Sequence, residues 1–344
     1  MKNPIFDIKD ADTACYSQHL KDFLPNRIID VHSHVYLEKF RSHQMEKHNV
    51  TWPSLVAAEN PIEDLLGTYR LMFPGKTVTP LIFSNLLSKQ DNFDDGNSYI
   101  HDCAKKYHLP SLYFARPDEP ASVIEKKMTQ ENFLGVKVYL SLADERIPIN
   151  EITIFDYLPH HQLEVLNQFH GIVMLHIPRP GRLKDPVNLE QMISIEKMYP
   201  QVKLIIAHVG RAYCMEDTGN AFKQLAATSR MMFDFSANTN EQVFTELIKA
   251  IGPGRILFGS DLPITRMRMR RICEKGRYIN IVPPGQYGNI SNDPHMREAT
   301  RDEGEKLSFF LYEEISAFKR AAEKVNLSQG EINDIFYNNA ASLL

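Results

Sequence analysis

The chain has 344 residues, 43% hydrophobic and 24% charged, a balance that excludes broad disorder and suits one large α/β domain or two smaller ones. Its formal charge of −4 leaves no footprint for nucleic acid or an anionic membrane partner. No apolar run reaches the ~18 residues of a membrane helix, and the N-terminus lacks the apolar core of a secretory signal, so a cytoplasmic protein is expected. Cys15, Cys103, Cys214 and Cys273 lie far apart with no Cys-x-x-Cys pair and read as reduced thiols.

Residues 1–26 read as a helical lead-in, with an amphipathic pattern over 14–24 that Pro25 stops. The next stretch, Arg27-Ile-Ile-Asp-Val-His-Ser-His34, runs an apolar strand into two histidines. Side chains two apart on a strand share a face, so His32 and His34 can approach one ion, although two nearby histidines can also be a surface accident. His43 and His48 lack helical ligand spacing and read as surface. The chain turns near Trp52-Pro53, and 61–73 reads as a helix.

A rhythm then sets in. Apolar runs at 78–84, 112–115, 136–140, 172–177, 203–207, 231–235 and 256–258 alternate with helical patterns at 97–107, 121–132, 155–169, 189–198, 221–228 and 241–251. With 27–31 that makes eight strands, near-continuous in apolar residues as parallel strands covered on both faces are. Eight βα units without a linker predict a single closed (β/α)₈ barrel over 1–344, of the TIM type. No G-x-G-x-x-G or Walker loop follows any strand, which disfavours an open nucleotide-binding sheet. Residues 262–304 read as a long irregular excursion, with Arg266, Arg268, Arg270 and Arg271 on a solvated helix face or an anion-attracting rim, Met267 and Met269 inward, and Tyr278 and Tyr287 available as a lid. Two helices, over 305–325 and from Ser328 with its Ser328–Glu331 capping box, close the chain.

Active groups of such barrels sit where strands end. His32 and His34 end the first strand, His176 the fifth, His208 the sixth and Asp261 the eighth. Each alone could be a hydrogen-bonded core residue. Together at one rim they supply imidazoles and a carboxylate for a zinc-like ion with an open position for water.

Asp30-Val-His-Ser-His34, His176, His208 followed by Gly210, Gly259-Ser-Asp261 and Tyr337-Asn-Asn-Ala-Ala341 occur in the order of the amidohydrolase superfamily. The chain resembles its amidohydrolase-related branch, which includes lactonases and carboxy-lyases. The polymerase-and-histidinol-phosphatase type shares the Asp-x-His-x-His start but needs further ligands in another order. The resemblance implies a distorted barrel and one divalent ion, expected to be zinc, held by His32, His34, His176 and Asp261. His208 would be a second ligand or an acid/base group.

In Gly135-Val-Lys-Val-Tyr-Leu140 the valines share one face, so Lys137 and Tyr139 should point into the barrel. In parts of the superfamily a fourth-strand lysine is carboxylated and bridges two metals, which would make Lys137 and His208 ligands of a second ion. The rival reading leaves Lys137 an amine facing substrate or an acid. A divalent ion lowers the pKa of its water towards ~7; Asp261 could take that proton and His208 could polarise a carbonyl. Arg179 and Arg182, beyond the fifth strand, and Arg211, beyond the sixth, are candidates with Tyr139 to grip an anionic substrate. The expected activity is hydrolysis of an amide, ester or lactone bond in a small anionic molecule. The alternatives are a carboxy-lyase on the same scaffold and a catalytically silent metal-binding barrel. Homo-oligomers are expected only by analogy with the family.

Overall fold

The computed structural model describes residues 5–42 and 52–344. His43 and His48 lie outside the described residues. Strand β1 (Arg27–His34) pairs in parallel with β2 (Thr77–Phe83). Strands β3 (Tyr113–Phe114), β4 (Gly135–Val138), β5 (Ile172–Leu175), β6 (Lys203–Ile206), β7 (Met232–Asp234) and β8 (Ile256–Leu257) form a parallel sheet in chain order. Two seams close these sheets into the expected barrel. Ile82 bridges Ser111 between β2 and β3, and beyond β8 Leu262 bridges Ser33 of β1. Val31 N–H also donates to Phe258 O at 3.0 Å, and Asp261 N–H to His32 O at 2.8 Å.

The helices follow as the periodicity predicts: α1 (Asp10–Cys15), α2 (Ile62–Met72), α3 (Phe93–Tyr107), α4 (Ala121–Thr129), α5 (His160–Gln168), α6 (Pro186–Met198), α7 (Ala221–Leu225), α8 (Glu241–Ile251), α9 (Phe310–Lys324) and α10 (Gln329–Asn333). Asp185 caps α6 by accepting from Val187 and Asn188 N–H, with Pro186 at the first helical position. Ser328 and Glu331 form the expected capping box of α10. Two starts come later than the pattern suggests. Pro159 begins α5, leaving Ile154–Asp156 as a 3₁₀ turn. Ser308 and Phe309 are drawn into extended pairing with Arg268 and Met269, so α9 begins at Phe310.

Strand alternation divides the core into two layers. Ile29, Val31, Leu81, Phe83, Ile172, Met174, Ile205 and Leu257 fill the barrel, and Ala340 of the tail packs on them. Val136, Val138, Val173, Leu175, Leu204 and Ile206 face the helices. Phe235 stacks on Phe318 of α9 with centroids 4.1 Å apart.

The segment after β8 departs from the irregular excursion expected. It forms an antiparallel hairpin, β9 (Arg270–Glu274) and β10 (Arg277–Val282), with β11 (Met296–Glu298) parallel to β10. The basic run is accordingly not a solvated helix face. Arg268 is buried and gives both terminal nitrogens to Asp12, at 2.7 and 2.6 Å. Arg266 is buried against Asn60, and Arg271 packs over Tyr213, Tyr278 and Phe310. Met267 and Met269 do point inward. Tyr287 is buried with its oxygen accepting from Arg268 N–H, and Tyr278 stacks on His295, so both belong to the packed hairpin rather than a lid.

The thiol reading also needs correction. Cys214 and Cys273, 59 residues apart, form a disulfide between the segment after β6 and β9, while Cys15 and Cys103 are free. Their pairing depends on the hairpin, which the sequence pattern hid, and it removes the argument from thiols for a reducing compartment. Unfolding the unreduced protein in a thiol-reactive dye should label two cysteines, not four. Cys273→Ser should lower unfolding stability by about 2–4 kcal/mol in denaturant melts.

Candidate metal centre

Strand β1 carries a register shift between Asp30 and Ser33. Bulges re-aim side chains, and past this one the inward positions pass from Ile29 and Val31 to His32 and His34. Across the seam, Gly259 lets β8 approach: a Cβ there would lie 2.8 Å from the Cβ of His32. Asp261 follows with φ of 55°, a left-handed backbone that aims its carboxylate at both histidines. Its Oδ1 lies 3.6 Å from His32 Nε2 and 3.3 Å from His34 Nε2. Three ligand atoms thus converge in a spacing that could hold one metal ion.

The other nitrogen of each ring is already engaged. His34 Nδ1 lies 3.0 Å from the carbonyl of Ser84, and His32 Nδ1 lies 2.9 Å from Asp234 Oδ2. A carbonyl and a carboxylate only accept, so both rings carry the proton on Nδ1 and present the Nε2 lone pair to the site. For this reason His32, His208 and Asp234, though close enough to form a second ligand set, are read as a hydrogen-bonded network rather than an ion site.

Asp234 ends β7 and is fully buried. Its Oδ1 accepts from His208 N–H at 2.9 Å, from Ser236 N–H at 3.1 Å and from the Ser236 hydroxyl at 2.5 Å. Burial pushes this carboxyl up, but His32 overcomes it and holds the pKa at about 2. His208 opens a turn in which residues 208 to 211 all have positive φ, between 50° and 60°. Such strain concentrates at functional sites. The turn sets the His208 ring 4.8 Å from that of His32, and burial lowers its pKa to about 4, so it is a neutral imidazole. Asp30, from the same motif as His32, plays a different part. Both its oxygens are consumed by His32 N–H, Ser260 and Tyr69, which lock β1 to the segment after β8.

His176 sits beside His208, with centroids 5.4 Å apart, and beside Tyr139 at 4.7 Å. Its Nδ1 is buried without any hydrogen-bond partner, an orphan that a further ligand contact would satisfy. Burial, then the charge of Arg211, keeps it neutral. Lys137 points inward as expected, 1% exposed, with Nζ 3.5 Å from His32 Nε2 and 5.2 Å from the Phe83 ring centre. Burial lowers its pKa to about 8.

The arginines divide. Arg211 donates from Nη1 to the carbonyls of Ile177 and Pro178, and its charge reaches His176 and Tyr139. Arg179 is turned away to the carbonyls of Glu151 and Ile152, and Arg182 is paired with Asp217 at 2.7 Å. Sequence reasoning missed Asp234 and Ser236. An acid ending an apolar run at the rim that carries the histidines was a usable signal for Asp234; a serine two residues on gave none.

A family model described as "Amidohydrolase" matches residues 90–344. The chain belongs to the amidohydrolase family. The match begins beyond β2, so His32 and His34 join the site through the fold geometry just described. No curated protein matches the sequence. Solved structures of low identity share the fold. An amidohydrolase from Burkholderia multivorans with bound zinc is 14% identical, with a TM-score of 0.56 over 92% of this chain and 98% of that one. A dihydroxybenzoic acid decarboxylase from a Polaromonas species, with manganese and 2-nitroresorcinol bound, is 15% identical, with a TM-score of 0.54 over 93% and 97%. A 4-oxalomesaconate hydratase from Rhodopseudomonas palustris is 15% identical, with a TM-score of 0.55 over 92% and 95%. The superfamily resemblance and the barrel read from the sequence therefore hold, and with them the expectation of an enzyme.

The Asp234 network generates a direct test of the site's architecture. Asp234→Ala leaves buried donors of His32, His208 and Ser236 unpaired and should cost about 3–5 kcal/mol in a denaturant melt.

Proposed function

We propose that this amidohydrolase is a mononuclear metal-dependent hydrolase acting on an amide, ester or lactone bond of a small anionic substrate. The observation that carries this reading is the convergence of His32 Nε2, His34 Nε2 and Asp261 Oδ1 with both imidazoles oriented from behind. His176, which lies outside that converging trio but carries an orphaned buried nitrogen, would complete a three-imidazole, one-carboxylate set that suits zinc. When bound, such an ion supplies a Lewis acid and acidifies water.

The chain's own residues supply the rest. Asp261 stands at the site as a carboxylate, ionised at neutral pH in its ordinary range, and a bound cation beside it would favour that form further. It is therefore an ionised acceptor able to take a proton from the attacking water and return it to the leaving group. His208 stays neutral with Nδ1 held against Ser236, which leaves Nε2 to orient that water, or to hold a carbonyl oxygen once protonated. Arg211 and Tyr139 border His176 and would grip and orient an anionic substrate there. Arg179 spends both Nε and Nη2 on backbone carbonyls and is withdrawn from that role, whereas Arg211 commits only Nη1.

Lys137 is assigned as a free amine, supported by its place over Phe83 and its approach to His32. A carbamate there would instead call for two ions, with His208 a ligand of the second. The competing activity is a carboxy-lyase. The Arg211 charge beside His176 favours it, since a guanidinium at that point suits a substrate carboxylate. Among the described residues no helix is long and apolar enough to cross a membrane.

Elemental analysis should find about one zinc or manganese per chain, lost in His32→Ala, and chelation should abolish turnover. Two ions per chain would overturn the mononuclear assignment, and no ion under loading conditions would overturn the hydrolase. Screening lactones and aromatic acids for proton release against carbon dioxide release separates hydrolysis from decarboxylation.

A further inference from the structure

Glu314 stands in the middle of α9, wholly buried and far along the chain from the candidate ligands. Its Oε2 accepts from Ala237 N–H at 2.6 Å, while its Oε1 is buried without a partner. A carboxyl group so placed needs a reason, because an unpaired buried polar atom costs about 1–3 kcal/mol.

The reason lies in the peptide it holds. The N–H of Ala237 and the carbonyl of Ser236 belong to one planar trans unit and point in opposite directions. With the N–H fixed on Glu314, the carbonyl faces His208 Nδ1 at 3.2 Å. The Ser236 hydroxyl lies 2.9 Å from the same nitrogen and donates to Asp234, so it too can only accept from His208. Two acceptors therefore keep the His208 proton on Nδ1 and its lone pair on Nε2. The arrangement is held against strain: Ala237 has φ of 50°, costly for a residue with a Cβ. Arg271 of β9 grips the carbonyl of Ala237 at 2.6 Å, so the residue is clamped on both sides.

We propose that Glu314 is a positioning residue for His208, acting through the Ser236–Ala237 peptide. The inference rests on reading His208 as the acid/base group of the proposed reaction. Glu314 works in its neutral form, since burial and the nearby Asp30, Asp234 and Asp261 carboxylates push its carboxyl well above the ordinary range. Glutamine, which keeps the accepting oxygen without a charge, should then replace it; leucine should free the peptide to turn over and offer its N–H where His208 now finds a carbonyl.

The test is long-range proton–nitrogen NMR of the full chain labelled in its histidine rings, after chelation, with His208→Asn used to assign the resonance. Wild type and Glu314→Gln should show the Nδ1–H form of His208, and Glu314→Leu should shift it towards Nε2–H. A leucine variant that melts lower but keeps the wild-type His208 pattern would show a merely structural role and overturn the proposal. Loss of the pattern in Glu314→Gln would also overturn it. Should Glu314→Leu fail to fold, Glu314→Asp withdraws the acceptor by one methylene, and an unchanged His208 in that variant has the same force. None of these readouts needs a metal or a substrate, so failure of the hydrolase reading leaves this test intact.

Discussion

One buried carboxylate gathers the site. Asp234 accepts from the His32 ring, from the backbone of His208 and from both donors of Ser236, and so ties β1, β6 and β7 at their C-terminal ends. A charge out of water is tolerable only when paired and fully hydrogen-bonded, and here every contact also aims a neighbour. The strained turn from His208 to Arg211 is affordable because its first N–H is anchored on that carboxylate. The same logic repeats at Asp30, which holds the seam between β1 and the segment after β8, at a pKa raised by burial to about 6.

Much of the barrel was legible because its strands are covered on both faces and read as plain apolar runs. Residues 241–251 match α8 to the residue, since Asn240 and Gly252 punctuate it by chemistry that acts locally. That His32, His34, His176, His208 and Asp261 meet at one rim was legible from their common place at strand ends. What stayed hidden depends on partners distant in sequence. Arg268 reads as a surface cation until Asp12 arrives to pair with it. Cys214 and Cys273 read as thiols until the hairpin brings them together. Arg179 and Arg182 look like substrate grips until backbone carbonyls and Asp217 claim them. In each case the residue type was informative and the partner was not.

The hairpin of β9 and β10 is more than a cover. Cys273 bonds it to the segment after the His208 turn, and Arg271 binds it to Ala237 beyond β7. Its attachments thus fall on the two loops that shape His208, whereas the ligand group of His32, His34 and Asp261 rests on the barrel strands and their seam. The scaffold thus sets His32, His34 and Asp261 on the barrel strands and their seam and leaves His208 to be trimmed by later elements.

The seam has a consequence in time. Asp30 and Ser260, joined by a hydrogen bond, are 230 residues apart, and Asp261 donates across the same joint to His32. A ribosome adding about 5–20 residues per second takes on the order of tens of seconds to bridge that gap. Throughout that interval the two histidines of β1 exist without the carboxylate of Asp261. The three-atom group is thereby completed only when the last strand docks, and charge and geometry arrive together.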